Sequence, residues 1–220
     1  MLMSKSMKMV GKYILIVAVF ALLLYRGIYF ENLQDVRQQQ QREAFNAAEY
    51  ARDFWLNQLP GVLDKAVDVK ELIKLFNTDM AKAIEHYGKA PGVSRVYAYL
   101  LKGEGTILEV NESGFKVSVE EPHTNPDVLI EIGSYIPGNA VRDASDLIDV
   151  SKFTDTMKFN EISGEINKIV VKDVIEPFLD KGPGTGRTVK FFGATQVAQD
   201  AAEENGLGLI KIVPIRLQLE

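Results

Sequence analysis

LIEIGSYIPGNAVRDASDLID, residues 129–149, is the stretch around which the rest of the chain is organised. It opens as a strand, because Ile130, Ile132 and Ile136 fall on one face of an extended backbone and Leu129, Glu131 and Tyr135 on the other. Pro137-Gly138 breaks the run: proline presets φ for the second turn position, and glycine permits a positive φ at the third. A polar, compact segment follows, with Asn139, Arg142, Asp143, Ser145, Asp146 and Asp149 close together.

Toward the N-terminus the hydrophobic period is two. Residues 96–101 are apolar on both faces, as in a central strand, and Gly103-Glu104-Gly105 reads as a bulge or bend before the strand resumes over 106–110. Asn111-Glu112-Ser113-Gly114 forms a turn into a third run, with Phe115, Val117 and Val119 on one face. A polar loop over 120–127 leads into the opening stretch. Toward the C-terminus, Phe159, Ile162, Ile166, Ile169, Val170 and Val174 mark the apolar face of a helix that Pro177 is expected to stop. KGPGTGR, residues 181–187, follows a helix and precedes a strand, the reverse of a phosphate loop, and reads as a connector. Alternating residues over 188–196 and 208–219 predict two last strands, with Pro214 at an edge or a bulge. Three strands, a helix and two strands, with a long first strand, is the order of an OB-like barrel. The fold class is therefore α+β: a five-stranded antiparallel OB-like barrel with one intervening helix over residues 93–220, or else an open antiparallel sheet.

Residues 31–92 read as helical. Leu33, Val36, Ala44, Ala51 and Leu59 recur at helical spacing, and the polar run over 38–41 suits a stalk standing in water. Phe45, Tyr50, Phe54 and Trp55 gather aromatic surface expected to dock on the domain. Leu59-Pro60-Gly61 is expected to end this helix. Asp68, with Glu71 three residues on, reads as an N-cap and its capping-box partner. Asn77-Thr78-Asp79 recaps a second short helix that closes at Gly88.

Residues 1–30 are expected to form a signal anchor and transmembrane helix. Residues 13–25 are uncharged and apolar, the segment reaches Phe30, and Lys5, Lys8 and Lys12 precede it, so the N-terminus should be cytoplasmic and the domain extracytoplasmic. The alternative is a cleaved signal peptide; Val19-Phe20-Ala21 meets the small-residue rule but precedes three more leucines. Without a cysteine in the chain, disulfides, thiol catalysis and a lipid-bearing cysteine are all excluded. With 21 basic and 30 acidic residues, residues 31–220 carry a net charge of −9, and nucleic acid is a poor partner.

KGEGTILEV, IEIGSYIPGNAVRDASDLI, FTDTMKFNEISGEINKIV and GRTVKFFGA together resemble an uncharacterised bacterial family of predicted periplasmic lipoproteins, with GNAVRDAS the most specific part. Members of that family are commonly encoded beside ribose-type sugar ABC transporters. The resemblance implies an extracytoplasmic accessory protein whose partners are the membrane and a transporter permease or substrate-binding protein. It carries over no catalytic residue, and a proteinaceous anchor would stand in for the missing lipid.

Three constellations lie in or near the opening stretch. Asp143, Asp146 and Asp149, spaced by three, would bind a hard cation through oxygen if they shared a helical face, or else serve as caps and solvated charges. Glu131 with Asp143 would make an acid–base pair unless Arg142 or a lysine neutralises them. Asn139, Arg142 and Asp143 would form a polar recognition surface, or Arg142 and Asp143 a structural pair. No metal or cofactor is expected. The preferred function is a non-enzymatic, membrane-tethered binding module; the alternative is a membrane-anchored hydrolase acting on sugars or cell-wall material through carboxylates.

Overall fold

A computed structural model describes residues 10–11, 13–22, 45–153, 155–201 and 208–220. The chain divides into two compact units, Met1–Phe45 and Asn46–Glu220. In the first, the described residues up to position 22 are helical and exposed. No helix of the described residues is long and apolar enough to cross a membrane. Positions 1–9, 12 and 23–30 of the expected anchor, with Lys5, Lys8 and Lys12 among them, and 31–44 of the expected stalk lie outside the described residues.

The second unit is built on six strands: β1 (Val67–Asp68), β2 (Val96–Asn111), β3 (Gly114–Ser118), β4 (Val128–Glu131), β5 (Thr188–Ala198) and β6 (Ile210–Leu219). They are ordered β1-β2-β3-β4-β6-β5, and β2 also pairs with β5, so the last five strands close into a barrel with no free edge between them. Closure depends on the length of β2. Its first part pairs with β5 from Val96 opposite Ala198 to Thr106 opposite Thr188, and Thr106 also faces Ser118 where the pairing with β3 begins. Gly103 and Gly105 do not interrupt the β5 register, and the shift comes later, between Ile107 and Glu109 against β3. The two glycines serve close approach instead. A Cβ at Gly103 would stand 2.5 Å from Val69 Cγ1, and one at Gly105 2.7 Å from Val117 Cγ1.

Two features correct the expected antiparallel five-stranded sheet. A sixth strand, β1, adds in parallel to β2, Val67 opposite Leu101. β4 and β6 are also parallel, Val128 opposite Ile210. The side-chain period of a strand is the same in either direction, so alternation in the sequence reports faces and not sense. Pro214 does sit at a bulge, where the β5 register shifts between Phe192 and Gly193.

The helices are α1 (Ala47–Asp53), α2 (Val69–Thr78), α3 (Met80–Tyr87), α4 (Ala140–Ser145) and α5 (Thr156–Ile169). Asp68 caps α2 by accepting from the Lys70 N–H at 2.8 Å, and Asp79 caps α3 through the Lys82 N–H at 3.0 Å. Glu71 is not the capping-box partner; its carboxylate accepts from the Tyr87 hydroxyl at 2.7 Å, tying α2 to α3. Neither Pro60 nor Pro177 ends its helix. α1 widens into a π-turn over Phe54–Gln58 and tightens into a 3-10 stretch over Leu59–Lys65, where Pro60 occupies a first-turn position that needs no N–H. α5 widens likewise over Val170–Ile175 before a last turn over Glu176–Leu179. There the Glu176 N–H bonds the Val171 carbonyl five residues back, and Pro177 again falls in a first turn.

One apolar cluster fills the barrel. Tyr99, Leu101, Ile107, Phe115, Ile130 and Phe191 are all essentially fully buried. Phe178, from the end of the long helix, meets Phe115 edge-on at 5.6 Å, and Phe76 of α2 meets Tyr99 at 4.9 Å. Residues 46–92 therefore belong to the barrel unit, and the boundary lies between Phe45 and Asn46 rather than at residue 93. Of the aromatic group, Phe54 is buried and Tyr50 packs edge-on against Phe153.

Candidate functional site

The opening stretch is a strand only over Val128–Glu131; the backbone leaves the sheet at Ile132 and turns at Gly138, whose φ is +87°. Such a φ is open to glycine and strained for a branched side chain. The turn delivers α4, and all six of its residues are buried. Arg142 is 3% exposed. Its Nε donates to Asp143 Oδ1 at 2.8 Å and one terminal nitrogen donates to the Phe159 carbonyl at 2.9 Å, while the guanidinium stacks 3.6 Å from the Phe159 ring centre. The second Asp143 oxygen accepts from Gln196 of β5 at 3.1 Å. Burial pushes the Asp143 carboxyl up from its ordinary value, and the bond and charge of Arg142 pull it partly back.

Arg142 and Asp143 thus clamp α4 between β5 and α5, and they do not form a recognition surface. The pair was legible as an alternative in the sequence, but a charged dipeptide after a Pro-Gly turn reads equally well as solvent-facing until the helix that buries it is known. The cation and acid–base constellations separate for the same reason. α4 ends at Ser145, and Asp146, its cap, takes a left-handed φ of +56° and pairs with Lys89 at 3.2 Å. Asp149 caps the next 3-10 turn through the Ser151 N–H. Among the described residues no group of three or more histidines and carboxylates is placed to hold a metal. Both Asp143 oxygens are bonded internally, while Glu131 in β4 sits with its carboxyl raised by burial and partly offset by Lys211.

Of the three expected residues, Asn139 borders a concave surface. A cleft of about 380 Å³ lies between residues 134–139 and one side of α5. Asn167 builds its wall: the side-chain nitrogen donates to the carbonyls of Ile136 and Gly138, both at 2.9 Å, and so pins the loop to the helix. Along α5 the lining residues Asn160, Ser163, Gly164 and Asn167, with Val171 of the π-turn that follows, recur at three- and four-residue steps, beside the apolar stripe that faces the core. Asn160 accepts from Arg142 through its Oδ1 at 3.3 Å. Ser163 is 3% exposed, and its hydroxyl has no hydrogen-bond partner among the described residues. An unpaired buried hydroxyl costs about 1–3 kcal/mol. Gly164 is a mid-helix glycine at which an added Cβ would touch nothing within 4 Å among the described residues, so packing against them does not require it. Tyr135 stands at the rim, 78% exposed. The signal that would have found this site is the polar stripe Asn160–Ser163–Asn167, which the stronger apolar stripe Phe159–Ile162–Ile166 overshadows.

A family profile described as "Predicted periplasmic lipoprotein (DUF2291)" matches residues 18–218. The chain belongs to the DUF2291 family. Membership accords with an extracytoplasmic domain held at a membrane, although this DUF2291 chain has no cysteine to carry a lipid. A crystal structure of an OB-fold protein from Thermotoga maritima is similar at a TM-score of 0.70 and 27% identity, covering 80% of this chain and 99% of that one. It supports the OB-type barrel. No curated protein matches the sequence.

Proposed function

We propose that this DUF2291 protein is a membrane-tethered extracytoplasmic accessory module that binds rather than catalyses. In this reading the apolar segment over residues 13–25, preceded by Lys5, Lys8 and Lys12, is an uncleaved single-pass anchor with its N-terminus in the cytoplasm. The barrel unit then works beside a sugar ABC transporter, in contact with its permease or its substrate-binding protein. The observation that carries the binding role is the division of labour within the domain. Arg142 and Asp143 of the central segment are bonded to each other inside the fold, whereas the cleft on α5 is lined by neutral polar residues, among them Ser163, whose hydroxyl has no partner among the described residues.

The test is to solubilise the full-length protein from its own membranes in mild detergent and identify what co-purifies. Transporter subunits at near-stoichiometric amounts are expected. Recovery of the protein alone, together with turnover of glycosides that is lost in Glu131→Gln, would replace this reading with the carboxylate hydrolase.

A further inference from the structure

We infer that the cleft between residues 134–139 and α5 is a binding site for a small, uncharged, polyhydroxylated molecule of monosaccharide size. This rests on the reading of the protein as a binding module and assigns that module its ligand class.

Charge is the first discriminator. The ammonium group at the cleft belongs to Lys168, and it is paired with Glu165 at 2.7 Å on the same helix. Arg142, behind Asn160, is buried against Asp143 and the Phe159 carbonyl. A carboxylate or phosphate would have to compete with Glu165 for that ammonium, and an ammonium ligand would meet no carboxylate among the lining residues, which disfavours both.

The remaining polar groups are mixed donors and acceptors, as a set of hydroxyls requires. Ser163 offers a buried hydroxyl able to donate and accept. Asn167 spends both amide hydrogens on the loop and leaves its oxygen as an acceptor. Asn160 has the opposite bias, because its oxygen is taken by Arg142 and its amide nitrogen remains a donor. Asn139 makes no capping bond to α4 and keeps both functions. Tyr135 adds an exposed ring at the rim, an apolar face with a polar tip suited to the C–H face of a ring whose edge carries hydroxyls.

Gly164 supplies an independent observation. Glycine is unfavourable inside a helix, and nothing among the described residues occupies the space its missing side chain leaves. A ligand lying against the helix at this point accounts for both facts.

The test uses the full-length protein in a detergent without a sugar headgroup. Calorimetric titration is run with D-xylose, D-glucose and myo-inositol as neutral probes, gluconate and glucosamine as charged ones, and cyclohexanol as an apolar one. One neutral polyol should bind at one equivalent. Ser163→Ala should weaken it about tenfold, the loss of one buried hydrogen bond. Gly164→Ala should abolish binding while melting at or above the wild-type temperature. Failure of all three polyols with folded protein, tighter binding of a charged probe or of cyclohexanol, or equal affinity in both variants would each overturn the assignment. If Gly164→Ala loses the polyol yet still co-purifies with transporter subunits, site and module reading both stand. If no polyol binds while the subunits co-purify, only the ligand class fails.

Discussion

α4 and the adjoining face of α5 make opposite use of polar residues. α4 carries the charges that look functional in the sequence, and every one of them is satisfied inside the fold: Arg142 by Asp143 and the Phe159 carbonyl, Asp143 also by Gln196. The cleft side of α5 carries amides, a serine and a glycine of the sort usually passed over, and among the described residues a buried hydroxyl there has no partner and a helix position no neighbour. A charged pair that must be desolvated is costly unless it is bonded on all sides, so its presence in a core reports structure. A neutral group left unpaired costs less and persists where something else completes it.

The contrast can be broken most forcefully at Arg142. Arg142→Ala leaves the Asp143 carboxylate buried and the Phe159 carbonyl without its donor, and should cost about 3 kcal/mol or more in urea unfolding. A change within about 0.5 kcal/mol would return Arg142 to the surface. Next is Asn167→Ala, which frees the carbonyls of Ile136 and Gly138 and should cost about 1–3 kcal/mol, with the loop over 134–139 becoming the fastest new site of amide exchange. Uniform exchange across the domain would show that Asn167 does not set the cleft wall.

Gly164→Ala should instead gain up to about 1 kcal/mol, because alanine is the better helix former and its methyl group has open space. Destabilisation would mean that the glycine serves the fold. The smallest effect concerns Glu131. Burial raises its folded pKa above the unfolded value, so the folded state holds the proton more tightly and this contribution is lost as pH rises through the folded pKa. Glu131→Gln should therefore gain on the wild type as pH rises from the ordinary glutamate range through the raised folded pKa, and then level off. A gain on acidification would show that Lys211, not burial, governs this carboxyl.

These residues also mark what a sequence of this kind makes legible. Turns and caps are local, and the positive φ at Gly138 and the caps at Asp68 and Asp79 follow from residue type and position. Strand faces follow from alternation, so the barrel-lining residues Phe115, Val117, Val119 and Ile130 could be placed. Features that depend on distant partners could not. The parallel pairing of β4 with β6 has no local signature, and six residues after a turn do not announce a helix buried all round. Pro60 and Pro177 misled for a subtler reason: a change of helical pitch puts each in a first turn, and the neighbouring sequence does not reveal that change.

The difference between the two helix faces can be read in a single nitrogen-15 correlation experiment on the folded protein, recorded with and without the polyol that binds. The backbone amides of Asn139 and Gly164 and the side-chain amides of Asn160 and Asn167 should shift, while the Arg142 Nε–H signal stays in place and resists exchange with solvent. Shifts centred on a rapidly exchanging Arg142 Nε–H, with Gly164 unmoved, would contradict the account.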